Sequence, residues 1–334
     1  MSSAPIICAN PDCNIAIDGK CIEGLEKQAC PNFGRPPPES LEPEEGGPSS
    51  APTVIELSRS IVLEAQSASN LLAARPSRVI GVIAPYDSGK TSLIAAIYDA
   101  FQRGPVSTMA FAGSSTLHSF EAACHDSRTA SRRDEATIFR TPRGDGRYYH
   151  IDLCPEIGGE VLTLLLADRA GEEYSMVSSD IANAHHLFEV RRADTLTVLI
   201  DGVRLINPKD RHNVRAEIEG ILQGLLDGSA LNKRQRLAIV LTKHDAVQNS
   251  GRADTAMSDF ERLVASIRTT FGTYFAAIET FITAASPKVE NAARGQGIPE
   301  LLTFWLREPF VPDVLQVKLQ PTRDFERLRE DDNV

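Results

Sequence analysis

One short stretch limits the fold of this chain more than any other. Residues 84–91 read A-P-Y-D-S-G-K-T, after the β-branched run Arg78–Ile83 and before the helical pattern Lys90–Phe101. A strand, this loop and a helix form a phosphate-binding unit, in which backbone N–H groups and the helix N-terminus surround phosphates. The residues predicted to contact nucleotide are Ala84, Tyr86, Asp87, Ser88, Gly89, Lys90, Thr91 and Ser92. The stretch therefore predicts a nucleoside triphosphate site.

The rest of the core alternates between short apolar runs and helical patterns. Further strands are predicted at 137–140, 148–153, 161–167, 195–201, 236–241 and 280–283, and helices at 209–227, 254–271 and 298–306. Residues 137–140 and 148–153 flank the turn signal R-G-D-G-R, which indicates a hairpin. Crossover helices between strands favour parallel pairing. The fold class is therefore α/β, with a mostly parallel central sheet flanked by helices.

A second motif follows the apolar run 161–167. Asp168-Arg-Ala-Gly171 is a D-x-x-G sequence at the carboxyl end of a predicted strand, where α/β sheets bind ligands. We expect Asp168, with Thr91, to hold magnesium, and the Gly171 N–H to contact a γ-phosphate. Glu172 comes next, in a position suited to orienting an attacking water.

A third motif predicts which base is bound. The run 237–241 leads into Thr242-Lys243-His-Asp245. A carboxylate at Asp245 accepts both the ring N–H and the exocyclic amine of guanine, whereas adenine has the wrong donor pattern. Thr242 and Lys243 complete this motif. The loop at Ala284 and Ala285 is placed to offer a backbone N–H, best at Ala285, to the guanine carbonyl oxygen. The predicted ligands are thus GTP or GDP with Mg²⁺.

Two residues leave the reaction open. Tyr86 is bulky for its place in a phosphate loop, and Glu172 brings a negative charge close to a γ-phosphate. The leading hypothesis is an enzyme that hydrolyses GTP. The alternatives are a slow or inactive GTP-binding scaffold that recruits partners, and an ATP-dependent kinase.

Charge and hydropathy exclude other classes of protein. The net charge is −10 and the pI is near 5.3, which argues against a partner bound through its phosphate backbone, such as nucleic acid. An apolar run of about 18 residues and a secretory signal are both missing from the sequence. We therefore expect no membrane span and a cytoplasmic location.

The first fifty residues differ from the core in composition. Cys8, Cys13, Cys21 and Cys30 are separated by four, seven and eight residues. Four thiolates can close a tetrahedral zinc site, but these irregular spacings are also typical of free cysteines. Residues 31–52 hold seven of the twenty prolines and predict a linker. The expected organisation is a cysteine-rich segment at 1–30, a linker at 31–52, a GTPase domain with a preceding helix (53–75) at 53–307, and a tail at 308–334.

The motifs, in this order, resemble those of the translation-factor-related GTPases over about residues 77–307. The segments F-A-G-S-S-T-L (111–117), L-L-L-A-D-R-A-G-E-E-Y (164–174) and V-L-I-D-G-V-R-L (198–205) are similar to the bacterial double-GTPase family, whose genes are associated with conflict or defence systems. The resemblance implies a P-loop GTPase fold and a nucleotide-controlled switch with protein partners encoded nearby. It also implies that Thr116, in the first switch, senses magnesium and γ-phosphate, with Ser114 and Ser115 as rivals. The predicted catalytic set is Lys90, Thr116, Gly171 and Glu172.

Overall fold

The computed structural model describes residues 30, 33–34, 62–132, 144, 146–287 and 294–309, with backbone alone for 126–132. The chain divides into units of residues 1–56 and 57–334, and nearly all described residues belong to the second. Among them, no helix is both long enough and apolar enough to cross a membrane.

A seven-stranded sheet forms the centre of the second unit. Its strands run in the order β2-β3-β4-β1-β5-β6-β7. Strand β1 pairs in parallel with β4 and β5, and β5-β6 and β6-β7 are also parallel. Only β3 breaks this pattern, because it is antiparallel to both β2 and β4. The strands are β1 Ser77–Ile83, β2 Met109–Gly113, β3 Arg147–Pro155, β4 Leu162–Asp168, β5 Thr195–Asp201, β6 Arg236–Thr242 and β7 Ala277–Ile282.

Helices connect the parallel strands. The described α-helices are α1 Ala65–Ala74, α2 Lys90–Gln102, α3 Leu117–Arg132, α4 Gly171–Val177, α5 Phe188–Arg192, α6 Gly202–Ile206, α7 Arg211–Asp227, α8 His244–Gln248, α9 Ala253–Phe271 and α10 Ile298–Leu306. Two short 3₁₀ helices cover Ile181–His186 and Gly272–Tyr274.

The central strands are buried on both faces of the sheet. In β6, Ile239 and Leu241 pack into the cluster that includes α7 and α9, whereas Ala238 and Val240 pack into the cluster that includes α2 and α10. Successive side chains of a strand point to opposite faces, so an uninterrupted apolar run suits a sheet covered by helices on both sides. This explains why the strand signals are runs rather than alternations.

Helix α10 is anchored to the centre of the sheet. Trp305 is fully buried, and its Nε1 donates a hydrogen bond to Thr197 Oγ1 on β5 at 2.9 Å. A buried indole N–H needs such a partner, because leaving it unpaired costs free energy. Helix α10 is therefore held to the sheet by polar as well as apolar contacts.

The structure confirms the α/β fold class and corrects some boundaries. Strand β7 begins at Ala277, three residues before the prediction. The predicted helix 53–75 begins only at Ala65 in the described residues, because Leu63 exchanges two backbone hydrogen bonds with Tyr148, each 2.9 Å. The predicted strand 137–140 lies outside the described residues. Strand β2, which the sequence analysis missed, pairs with the far end of β3.

We predict that Gly297→Ala destabilises the fold. Gly297 has φ +75°, and a Cβ there would lie 2.0 Å from the carbonyl oxygen of Ile282. Backbone strain of this kind costs about 1–3 kcal/mol, and a chain of this size loses roughly 2–4 °C of melting temperature for each kcal/mol.

Thermal unfolding followed by circular dichroism measures the effect. The matched control is Gly251→Ala, because a Cβ at Gly251 meets no atom within 4 Å. Equal melting temperatures for the two variants would contradict the prediction.

Candidate functional site

The loop after β1 is a tight turn that leads into α2. Ser88 donates two hydrogen bonds to the Pro85 carbonyl oxygen, from its N at 3.2 Å and from its Oγ at 2.7 Å. Asp87 and Gly89 both have positive φ, at +58° and +88°. The turn therefore ends at the N-terminus of a 13-residue helix, where unpaired N–H groups favour an anion.

Lys90 and Asp168 meet although they are 78 positions apart in the sequence. Lys90 Nζ lies 2.5 Å from Asp168 Oδ1, and both side chains are largely buried. The same ammonium donates a hydrogen bond to the Arg169 carbonyl oxygen. The structure thus brings together the residues that the sequence analysis assigned to phosphate and to magnesium.

Gly171 lies directly against the phosphate loop. A Cβ at this position would be 2.5 Å from the Ala84 carbonyl oxygen and 2.8 Å from the Tyr86 backbone N. Both neighbours are backbone atoms that cannot swing aside. Glycine is therefore required here by the approach of one loop to the other.

Four predicted residues surround this contact. Thr91 and Ser92 lie in the first turn of α2 and are partly buried, and Glu172 is partly buried in the first turn of α4. The side chain of Tyr86 is 55% exposed, which is unusual for an aromatic ring in a tight loop. Their roles in binding and catalysis stay predictions.

The loop after β6 is hydrogen-bonded to the phosphate loop. Thr242 Oγ1 donates to the Ser88 carbonyl oxygen at 2.8 Å. Lys243 Nζ donates to the Asp87 carbonyl oxygen at 2.5 Å and lies 3.2 Å from the Asp87 carboxylate. The sequences predicted to bind the base and the phosphates, about 150 residues apart, are therefore in direct contact.

The remaining base-reading residues lie at the same edge of the sheet. Asp245 is buried in the first turn of α8. The His244 N donates to the Thr283 carbonyl oxygen at 3.2 Å, which ties the loop after β6 to the loop after β7. Ala284 is fully buried and its N–H donates to the Gln296 carbonyl oxygen at 3.2 Å, so Ala285 is the better candidate for guanine.

Asp201 is a site residue that the sequence analysis missed. It ends β5, is 4% exposed, and lies 3.1 Å from Lys243 Nζ through Oδ2 while its Oδ1 accepts from the Val203 N at 2.9 Å. Burial raises the pKa of the Asp201 carboxyl, and the Lys243 ammonium opposes that rise. An Asp-Gly pair at a strand end was the available signal.

Thr116 does not join these residues in the described structure. It is fully buried, and its Oγ1 accepts a hydrogen bond from the His150 N at 3.0 Å and donates to the His150 carbonyl oxygen at 3.4 Å. His150 is three residues inside β3, about 10 Å along the strand from Arg147, which pairs with Asp168. Sensing of γ-phosphate by Thr116 stays a prediction and would require these bonds to break.

The possible zinc site falls mostly outside the described residues. Cys8, Cys13 and Cys21 are not among them, and Cys30 is a partly buried free thiol. Within the described part of the chain, no group of three or more His, Cys, Asp or Glu side chains is placed to hold a metal ion. The zinc site therefore has no support from the structure and stays a prediction.

A sequence profile decides the family. The profile of Double-GTPase 2 matches residues 78–306, well over half of the chain. The chain belongs to the Double-GTPase 2 family. This confirms the predicted resemblance and, with the sheet described above, the P-loop GTPase fold. Membership supports guanine-nucleotide binding.

Similar solved structures are distant in sequence. One is the Saccharomyces cerevisiae Ski7 GTPase-like domain bound to GDP and inorganic phosphate, with 11% identity, a TM-score of 0.41, and 71% of this chain and 51% of that chain covered. Another is the signal recognition particle receptor SRb-GTP/SRX complex from Chaetomium thermophilum, with 13% identity, a TM-score of 0.35, and 69% and 96% covered. The chain thus spans about half the length of the Ski7 chain. Among curated proteins, no relative matches.

We predict that Asp201→Asn weakens binding of both GTP and GDP by roughly 3- to 10-fold, which is about 0.7–1.4 kcal/mol. The amide keeps an oxygen for the Val203 N but loses the charge that holds Lys243. Titration calorimetry with each nucleotide measures the change.

The control for this prediction is Asp180→Asn. Asp180 also accepts from a backbone N, that of Ala182 at 3.0 Å, at the start of an exposed 3₁₀ helix. Unchanged affinities in Asp201→Asn would show that the carboxylate acts only as a helix cap.

Proposed function

We propose that this family member binds GTP with Mg²⁺, hydrolyses it to GDP and phosphate, and acts as a nucleotide-controlled switch. The observation that carries the proposal is the contact between the two binding loops. Thr242 Oγ1 and Lys243 Nζ donate hydrogen bonds to the carbonyl oxygens of Ser88 and Asp87, at 2.8 and 2.5 Å. The loop proposed to bind the base is therefore connected directly to the loop proposed to bind the phosphates.

The residues present fit a magnesium ion. A hydroxyl and a carboxylate, as in Thr91 and Asp168, are the oxygen ligands that Mg²⁺ prefers. The contact of Asp168 with Lys90 supports a position of this carboxylate beside the phosphate loop. The ion would neutralise charge on the β- and γ-phosphates.

The chain's own groups account for the proposed reaction. Lys90 and the N–H groups at the start of α2 bind the β- and γ-phosphates, and the Gly171 N–H orients the γ-phosphate. Glu172 orients a water whose oxygen bonds to the γ-phosphorus as the bond to the β–γ bridging oxygen breaks. The catalysis is thus positioning and charge stabilisation, with no covalent enzyme intermediate.

The switch proposal includes protein partners. Met176, Ile181 and Phe188 are large apolar side chains that are about half exposed or more, and all three follow the D-x-x-G loop within residues 176–188. Exposed apolar groups beside a nucleotide-sensing loop suit a partner that reads the bound nucleotide. A role in bacterial conflict or defence belongs to this proposal and depends on family resemblance alone.

A GTP-binding scaffold with little hydrolysis is the second candidate. It is favoured by the exposed Tyr86 ring at the phosphate loop and by the negative charge of Glu172. Both features act on the water and the γ-phosphate but leave base recognition intact. The two candidates therefore differ in turnover and not in affinity.

We predict that GTP, but not ATP, protects the protein against heat. At a ligand concentration 100 times the Kd, binding adds about 2.7 kcal/mol of stability, or on the order of 5–10 °C. Asp245→Asn abolishes protection by GTP, and xanthosine triphosphate protects this variant, since an amide N–H can donate to the xanthine 2-carbonyl. Differential scanning fluorimetry measures the shift in melting temperature with each of the three nucleotides.

The control for base recognition is Asp254→Asn, which changes an exposed aspartate in the first turn of α9. It should behave like the unchanged protein. Protection by ATP equal to that by GTP would overturn guanine recognition and favour the kinase alternative.

We predict that the protein releases phosphate from GTP in the presence of Mg²⁺, and that Glu172→Ala lowers the rate constant of GTP hydrolysis by about 100-fold or more. The variant removes the group that orients water and leaves the binding loops in place. Release of labelled phosphate under single-turnover conditions measures the step, with the exposed Glu160→Ala as control. Tight GTP binding without phosphate release, even with the proteins encoded nearby, would contradict hydrolysis and leave the scaffold.

A further inference from the structure

Arg169, inside the D-x-x-G motif, has a buried side chain that takes no part in the proposed reaction. The side chain is 6% exposed although it carries a full charge. All five of its N–H donors have acceptors, which exhausts what a guanidinium can offer. The acceptors are Glu189 Oε1 at 2.5 Å, Glu189 Oε2 at 3.1 Å, the Gly144 carbonyl oxygen at 2.7 Å, the His186 carbonyl oxygen at 3.2 Å, and Glu173 Oε2.

The partner carboxylate on α5 is also buried. Glu189 is 0% exposed and accepts a further hydrogen bond from Tyr174 Oη at 3.4 Å. Burial by itself would lower the pKa of Arg169. The hydrogen bonds and the negative charge of Glu189 outweigh this effect, so the Arg169 pKa is raised. A buried ion pair of this kind often stabilises a fold no better than apolar residues would, so its presence asks for another explanation.

Gly144 and Gly146, just before β3, lie against this ion pair. The Gly144 carbonyl oxygen accepts from Arg169, and the Gly144 N donates to Glu173 Oε1 at 2.7 Å. A Cβ at Gly146 would lie 3.0 Å from Glu189 Oε2 and 3.3 Å from Arg169 Nη2. The missing side chain at Gly146 therefore lets the backbone approach these charged groups closely.

The backbone of Arg169 is equally constrained. Its carbonyl oxygen accepts from Lys90 Nζ, and it lies between Asp168 and Gly171, the residues assigned to magnesium and γ-phosphate. A shift of this loop on binding a γ-phosphate moves the Arg169 backbone. The guanidinium must then carry its five acceptors with it or lose their hydrogen bonds.

We propose that Arg169 is a positioning residue that couples occupancy of the γ-phosphate site to Gly144 before β3 and to Glu189 on α5. The coupling rests on the proposed GTP function. It adds the route by which the γ-phosphate acts on segments that do not bind nucleotide. Arg169 is not a charge donated to the reacting phosphate, since that role would break five hydrogen bonds.

The first experiment separates coupling from stability. Arg169→Met alone leaves Glu189 buried without its cation and lowers the melting temperature by on the order of 10 °C. The double variant Arg169→Met/Glu189→Leu removes both charges and returns the melting temperature to within roughly 3 °C of the unchanged protein. It still lacks the bonds to Gly144 and Glu173.

The readout is the ratio of affinities for GTPγS and GDP, each with Mg²⁺, measured by calorimetry. In the double variant, the preference for the triphosphate falls by about 5-fold or more, the lower end of typical coupling factors. Glu173→Gln, at a partly exposed position, shifts the ratio in the same direction. The control Arg215→Met removes an exposed ion pair with Glu219 and leaves the ratio unchanged.

Hydrogen exchange gives a second readout that a purely structural role would not move. In the unchanged protein, the peptide containing Gly144 and Gly146 exchanges more slowly with GTPγS than with GDP, and this difference disappears in the double variant. The coupling would be overturned if the double variant and Glu173→Gln both kept the affinity ratio of the unchanged protein. They would also have to keep its difference in hydrogen exchange between GTPγS and GDP. A chain that binds both nucleotides equally also overturns it, whereas a chain that binds neither refutes the proposed function itself.

Discussion

Parallel backbone pairing of β4, β1, β5, β6 and β7 is the constraint on which the site depends. Because these strands run in one direction, their carboxyl ends and the loops that follow lie at one edge of the sheet. The phosphate loop, the D-x-x-G loop and the two loops predicted to recognise guanine all leave the sheet there. Parallel pairing alone thus brings residues more than 150 positions apart to the same edge of the sheet.

Close contacts between loops then complete the arrangement. Gly171 reaches the backbone of Ala84 because it has no Cβ, and Gly202, where a Cβ would lie 2.6 Å from the Thr242 carbonyl oxygen, does the same beside the base-reading loop. Lys243 and Asp201 join the phosphate loop to the end of β5. The site is therefore held by backbone packing and by a few charged hydrogen bonds.

Local signals were sufficient for most of the fold. The runs around Val79, Leu165, Val198 and Ile239 are apolar on both faces, and this pattern arises because helices cover both sides of the sheet. The start of α1 was not readable, since Leu63 is held by Tyr148, which lies 85 positions further along the chain. Strand β2 was missed for a similar reason, because its pairing with β3 is not encoded in its own five residues.

Sequence alone was enough to find the phosphate loop, the D-x-x-G motif and the T-K-x-D motif, because each of these depends on residue types at short spacing. The position of Thr116 could be known only from the folded chain, since its hydroxyl accepts a hydrogen bond from His150, on a strand 34 positions away. The same holds for Asp201 and Arg169. Their charged partners, Lys243 and Glu189, are 42 and 20 positions away. A buried charge has meaning only through its partner, and the partner is known only once the chain is folded.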